Sequence, residues 1–262
     1  VRMRYKVLCG YIRQRWDCGD TVEIEEKHTG KYGARGQTRE KKRKATPEEI
    51  KKHNQWKRER DVRRLIKWNF RARDYWITLT YPKDYRPTWE EMKDHAGKLV
   101  RKMREKYKKQ GWTLKYIYRL AIGSRGGRHI HILINRESNE KTATDLIITD
   151  LWEQQWGHGH VNFRTTYSEG GYKQLAEYLT KPLEEWEPDE VKRYHPSRNL
   201  IRKDPEVDEI KRRSLVDRDG KPRMPKAPKG YYVDPESIEV GINPITHYAY
   251  RHYTLIKIKK RE

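Results

Sequence analysis

The stretch GRHIHILIN, residues 127–135, sets two histidines one residue apart inside an apolar run. Successive side chains of a β-strand point to opposite faces, so His129 and His131 share one face and Ile130, Ile132 and Ile134 the other. Two imidazoles held side by side on a rigid element supply half of a divalent metal site. A second candidate ligand set is Cys9, Cys18 and His28, but its spacing matches no zinc-finger pattern, and two free thiols are the expected state.

The elements that must position the histidines follow from periodicity and caps. DYWITLTYP alternates apolar residues with threonine and stops at Pro82, which predicts a strand. TWEEMKDHAGKLVRKMREKY opens with a capping box, Thr88 and Glu91, and places Met92, Ala96, Leu99, Val100 and Met103 on one helical face. LKYIYRLAIGSRGGRHIHILIN reads as two antiparallel strands around a Gly-rich turn. A helix carrying Leu146, Ile147, Leu151 and Trp152 comes next, and WGHGHVNFR gives another strand, with Gly159 permitting close backbone approach. GYKQLAEYLTKPL then forms a helix that Pro182 helps to end. On that helix Tyr172, Leu175, Ala176 and Leu179 form an apolar stripe, while Gln174, Tyr178 and Lys181 form a polar one. The fold class implied is α+β, a central antiparallel sheet of about five strands flanked by helices. Residues 1–73 read as a basic N-terminal extension with a short hairpin (5–12 and 21–26), residues 74–183 as the core, and 184–262 as a Pro-rich, irregular extension ending in a strand. One compact domain is expected overall.

Composition speaks to partners. The chain of 262 residues has a formal net charge of +22, with nine Trp and eighteen Tyr but two Phe. Cations interleaved with flat aromatic faces suit a phosphate backbone and unstacked bases. Between Lys31 and Arg73 there are seventeen Lys or Arg against five acids. A helix begins there at Thr46, with Pro47 at its first position and Glu49 closing a capping box. The preceding basic arm, centred on Lys41, Lys42, Arg43 and Lys44, is expected to contact phosphates. No apolar run reaches membrane-spanning length, and the sparse cysteines point to a cytoplasmic protein.

Three segments, ITLTYP at 77–82, HIH at 129–131 and YLTK at 178–181, resemble in order the three motifs of the HUH endonucleases, particularly the single-tyrosine rolling-circle replication initiators of plasmids and bacteriophages. The resemblance spans about residues 75–183. It implies that His129 and His131 bind a divalent metal, Mn²⁺ or Mg²⁺, that Tyr178 is the nucleophile forming a 5′-phosphotyrosyl link to DNA, and that Lys181 lies beside it. Many initiators carry an acid on the strand before the histidines, where Ala121 stands here. Gln174, with Glu177 as the alternative, is the expected third ligand. HPSRNL at 195–200 resembles a segment found after the tyrosine helix of related initiators, so Arg198 joins Arg125 and Arg128 as expected DNA contacts. The histidines of His158-Gly159-His160 are read as structural or DNA-facing.

The substrate implied is single-stranded or hairpin origin DNA. With no G-x-x-x-x-G-K-[ST] loop in the sequence, unwinding is left to a host or partner helicase. A single-strand transposase shares the chemistry and is the nearest alternative. A non-catalytic nucleic-acid-binding protein is the alternative of another class. The oligomeric state is not specified by the sequence.

Overall fold

The computed structural model describes residues 10–30, 44–167, 169–187, 192–211 and 215–258. The chain divides into two compact units, Val1–His53 with Arg202–Glu262, and Asn54–Ile201. The histidines lie in the second.

That unit is built on an antiparallel five-stranded sheet of order β6-β3-β5-β4-β7, formed by β3 (Tyr75–Thr80), β4 (Tyr116–Ile122), β5 (Arg128–Ile134), β6 (His160–Thr165) and β7 (His195–Pro196). The strand count and α+β class are those expected. Alternation divides the sheet into two cores. Ile77, Leu79, Leu120, Ile130, Ile132 and Ile134 pack under α2 (Trp89–Lys109) and α3 (Thr144–Thr149). Ile117 and Leu133, on the opposite face, meet Val62, Leu65 and Ile66 of α1 (Pro47–Asn69) and Ala176 and Leu179 of α4 (Lys173–Thr180). The two faces of one sheet are thus covered by separate helix pairs.

Both capping boxes form. The Thr46 amide donates to Glu49 at 2.9 Å, and the Thr88 amide to Glu91 at 2.7 Å, each fixing where its helix starts. One helical face differs from expectation. Leu146 is 61% exposed and Ile148 is buried in its place. After α3 the chain widens into a π-helical turn over Asp150–Gln155, so the residues facing the sheet before and after it are not in one 3.6-residue register. Gly159 behaves as expected: at φ +121°, a Cβ there would sit 2.1 Å from the Thr80 carbonyl oxygen, inside the β3–β6 pairing.

The other unit corrects the reading of the chain ends as separate extensions. A hairpin, β1 (Tyr11–Asp17) and β2 (Thr21–His28), pairs through β2 with β11 (Ala249–Lys257). With β8 (Glu206–Ile210), β9 (Tyr231–Val233) and β10 (Glu239–Ile242) they make a six-stranded sheet. Buried Glu26 ties its two ends together, accepting from Arg13 at 2.8 Å and Arg251 at 2.6 Å. Cys18 is a buried free thiol and lies at the turn end of the hairpin, whereas His28 pairs opposite Tyr11 at the other end. Six register steps, roughly 20 Å, separate them, so they share no metal. Cys9 lies outside the described residues.

Candidate active site

The register of three strands assembles the site. β5 lies between β3 and β4, so His131 is flanked by Thr78 and Arg119, and His129 by Thr80 and Ala121. All six side chains point to the face covered by α1 and α4. Thr78 Oγ1 lies 3.1 Å from His131 Nδ1 and fixes that ring. Trp76, two residues back on β3, stacks parallel to His131 with centroids 5.6 Å apart. His129 Nδ1 is buried without a hydrogen-bond partner. Burial lowers the pKa of His129, and burial with the nearby His129 and Arg119 charges pushes His131 down to about 4. Both rings are therefore neutral at pH 7 with lone pairs available.

α4 brings Tyr178 over this pair. Its ring meets His131 edge to face at 5.0 Å and Trp76 at 5.6 Å, and the residue keeps 38% exposure. The apolar stripe of α4 is buried as expected, and Tyr172 belongs to it at 8% exposure. Tyr172 is the N-terminal flank of the helix, in left-handed backbone at φ 62°. Lys181 does not continue the helix: its backbone turns extended at ψ 137°, and its ammonium pairs with Glu184.

A buried cation that the sequence reading passed over holds the whole arrangement. Arg119 donates to the carbonyls of Tyr178 (3.2 Å), Leu179 (3.4 Å), Lys181 (2.7 Å) and Pro182 (3.5 Å), closing the C-terminal end of α4. Positive charge there also complements the helix dipole. Its counter-ion is Glu187 at 3.4 Å, the two side chains being 3% and 1% exposed. Glu187 further accepts the amides of Ile122 at 3.2 Å and Glu184 at 3.0 Å. The guanidinium carbon lies 6.0 Å from the Tyr178 ring centroid. Burial raises the Tyr178 pKa, and Arg119 works against that rise. The available signal was an arginine in the middle of the apolar strand YIYRLAI.

These groups line one cavity of about 300 Å³, walled by Arg119, Ala121, His129, His131, Tyr178, Lys181, Glu184 and Glu187, with the exposed indole of Trp186 at its rim. Gln174 and Glu177 are exposed on α4 and do not line it. Among the described residues no third His, Cys, Asp or Glu joins the two histidines as a metal-binding group. Arg125 is exposed in the turn between β4 and β5, while Arg128 is engaged with the Pro87 carbonyl at 3.1 Å. Arg198 lies in a separate cleft with Trp112 and Tyr116. Of the basic arm, Lys41, Lys42 and Arg43 lie outside the described residues. His158 and His160 diverge: the first stacks on His95 at 4.1 Å, and the second is 95% exposed.

Residues 74–183 match the model of a replication-associated protein family, described as replication-associated protein ORF2. No curated protein and no solved structure matches the chain. The matched segment runs from the start of β3 to just beyond α4, and includes His129, His131, Tyr178 and Lys181. It supports a role in replication initiation. Among the described residues no helix is long and apolar enough to cross a membrane.

Proposed function

We propose that the 54–201 unit nicks and rejoins single-stranded DNA at a replication origin, with Tyr178 as nucleophile, as a single-tyrosine rolling-circle initiator. The observation that carries this reading is the convergence of a histidine pair, a tyrosine and a lysine on one cavity, with the His131 and Tyr178 rings 5.0 Å apart. The donor set fits a divalent ion: two neutral imidazoles, one of them with a buried Nδ1 that no protein group satisfies. When bound on His129 and His131, the ion supplies Lewis-acid polarisation of a phosphate oxygen. With no third acidic or thiolate ligand beside them among the described residues, water and the DNA itself complete the coordination, and imidazole donors favour Mn²⁺ over Mg²⁺.

Tyr178 Oη attacks phosphorus, the bond from phosphorus to the 3′-oxygen breaks, and the phenolic proton ends on that oxygen. A phosphodiester is exchanged for a phosphotyrosyl ester and a free 3′-hydroxyl, so the strand can later be rejoined without ATP. Lys181 offers its ammonium to the charge that develops on the phosphate. Trp76 and His131 hold the phenol against rotation. Arg119 anchors the carbonyl of Tyr178 itself and so fixes where the nucleophile stands.

Incubation with Mn²⁺ and a panel of single-stranded hairpins, followed by mass analysis of the protein, tests the reading. A covalent adduct is expected for the wild-type chain and for Tyr172→Phe, and none for Tyr178→Phe, which should still bind DNA. Chelation should abolish the adduct and restoring Mn²⁺ should return it. An adduct that survives in Tyr178→Phe, or that never forms while DNA is bound, defeats the proposal in favour of non-catalytic binding.

A further inference from the structure

A second cleft, about 650 Å³, lies beside β4 where the C-terminal part of α2 approaches β7. Its walls carry Arg104, Lys108 and Arg198 together with the rings of Trp112 and Tyr116, and no carboxylate. Arg104, Lys108 and Arg198 are exposed, and none has an ion pair or side-chain hydrogen bond among the described residues. By contrast, the polar groups beside them are already in use. Ser197 Oγ accepts the Tyr116 amide at 3.2 Å, and Asn199 donates to the Leu114 carbonyl at 3.0 Å, which fixes the floor. Trp112 is braced edge to face on buried Tyr107, with centroids 5.5 Å apart.

We propose that this cleft is a second nucleotide site, in which one base of a single DNA strand stacks on the aromatic wall while its flanking phosphates meet Arg104, Lys108 and Arg198. The volume falls in the range of small-ligand sites, and rigid rings flanked by unpaired cations are the surface that sequence-tolerant single-strand binders use. A carboxylate-free wall selects a polyanion over an acidic or mixed peptide side chain that would find no hydrogen-bonding partners in the floor.

Position argues for the same strand that reaches the catalytic cavity. Ala121 lines that cavity and Tyr116 lines the cleft, and both belong to β4. Five residues of strand, about 16 Å, separate them. Tyr116 and Ala121 point to opposite faces of the sheet, and the only strand outside β4 is the two-residue β7. A DNA strand of a few nucleotides can round that short edge from one site to the other. The inference rests on single-stranded DNA being the substrate, but not on cleavage.

Fluorescence anisotropy of the full chain with labelled thymidine homopolymers, short and long, tests it. Trp112→Ala should weaken binding of the long strand about five- to a hundredfold, the worth of one base stack, and Trp112→Phe should recover most of that loss. Because Trp112 touches the core, the exposed pair Arg104→Ala/Lys108→Ala provides the second arm. It should lower the log–log salt slope by about 1.4, at 0.7 per single-strand phosphate contact, with an unchanged unfolding midpoint. Wild-type affinity and slope in the folded variants overturn the proposal. So does an abasic strand that binds as tightly as the thymidine strand. Adduct formation at Tyr178 is scored separately with the hairpin panel; its absence defeats the nicking reading and leaves the outcome in the cleft readable.

Discussion

Replacing Glu187 by Leu removes the counter-ion of a guanidinium that is 3% exposed, and strips the Ile122 and Glu184 amides of their acceptor. Breaking a buried pair from one side costs about 3–5 kcal/mol, because the surviving charge keeps its desolvation penalty without its partner. Arg119→Leu leaves Glu187 stranded in the same way and also frees four carbonyls at the end of α4. The double variant removes both charges, and its cost should fall well below the sum of the two singles. A coupling energy of about 2–3 kcal/mol in the cycle is expected. At about 2–4 °C per kcal/mol, each single change should lower the unfolding midpoint by about 6–20 °C. The same variants should slow adduct formation more than DNA binding, since the released α4 end no longer fixes the Tyr178 backbone. The assay is denaturant and thermal unfolding of the four proteins of the cycle, with adduct yield measured under folded conditions. Additive single changes, or a Glu187→Leu cost below about 1 kcal/mol, would refute the reasoning.

Neutralising Lys41, Lys42, Arg43 and Lys44 together should weaken all DNA sequences alike and flatten the log–log salt slope by about 3–4; a sequence-selective loss at constant slope points to base readout instead. Gly159→Ala would place a methyl 2.1 Å from the Thr80 carbonyl oxygen in strained backbone. A loss of about 3 kcal/mol is expected, read by urea unfolding, and a neutral effect would mean that β3 and β6 can part without cost. Burial beside His95 pushes His158 down to about 4 in the folded chain, below its ordinary value of about 6.5. Between those values the unfolded chain binds more protons. This contribution is therefore complete above about pH 6.5 and lost as pH falls toward 4. His158→Phe should make the acid limb of a stability–pH curve shallower, and an unchanged limb counts against the assignment.

Local pattern settled the elements that carry the site. A period of two put His129 and His131 on one strand face, and a period of 3.6 sent Tyr172 to the core and Tyr178 outward, as burial bears out. Thr46 and Thr88 marked helix starts through contacts three residues apart, and Gly159 marked a close approach through its missing side chain. Each is a short-range rule, so a single sequence suffices. What joins residues far apart in the chain was decided only by the tertiary structure. The pairing of β2 with β11 depends on two strands more than two hundred residues apart, and neither carries a local sign of the other. Gln174 lay on the right helix stripe, yet a stripe says nothing about how far along the helix a cavity extends, and it stayed outside. Arg119 read as an odd charge in an apolar strand. Its role became visible once α4 ended against it and Glu187 arrived from a turn beyond the helix, because a buried charge is explained by its partners and those are brought by the fold.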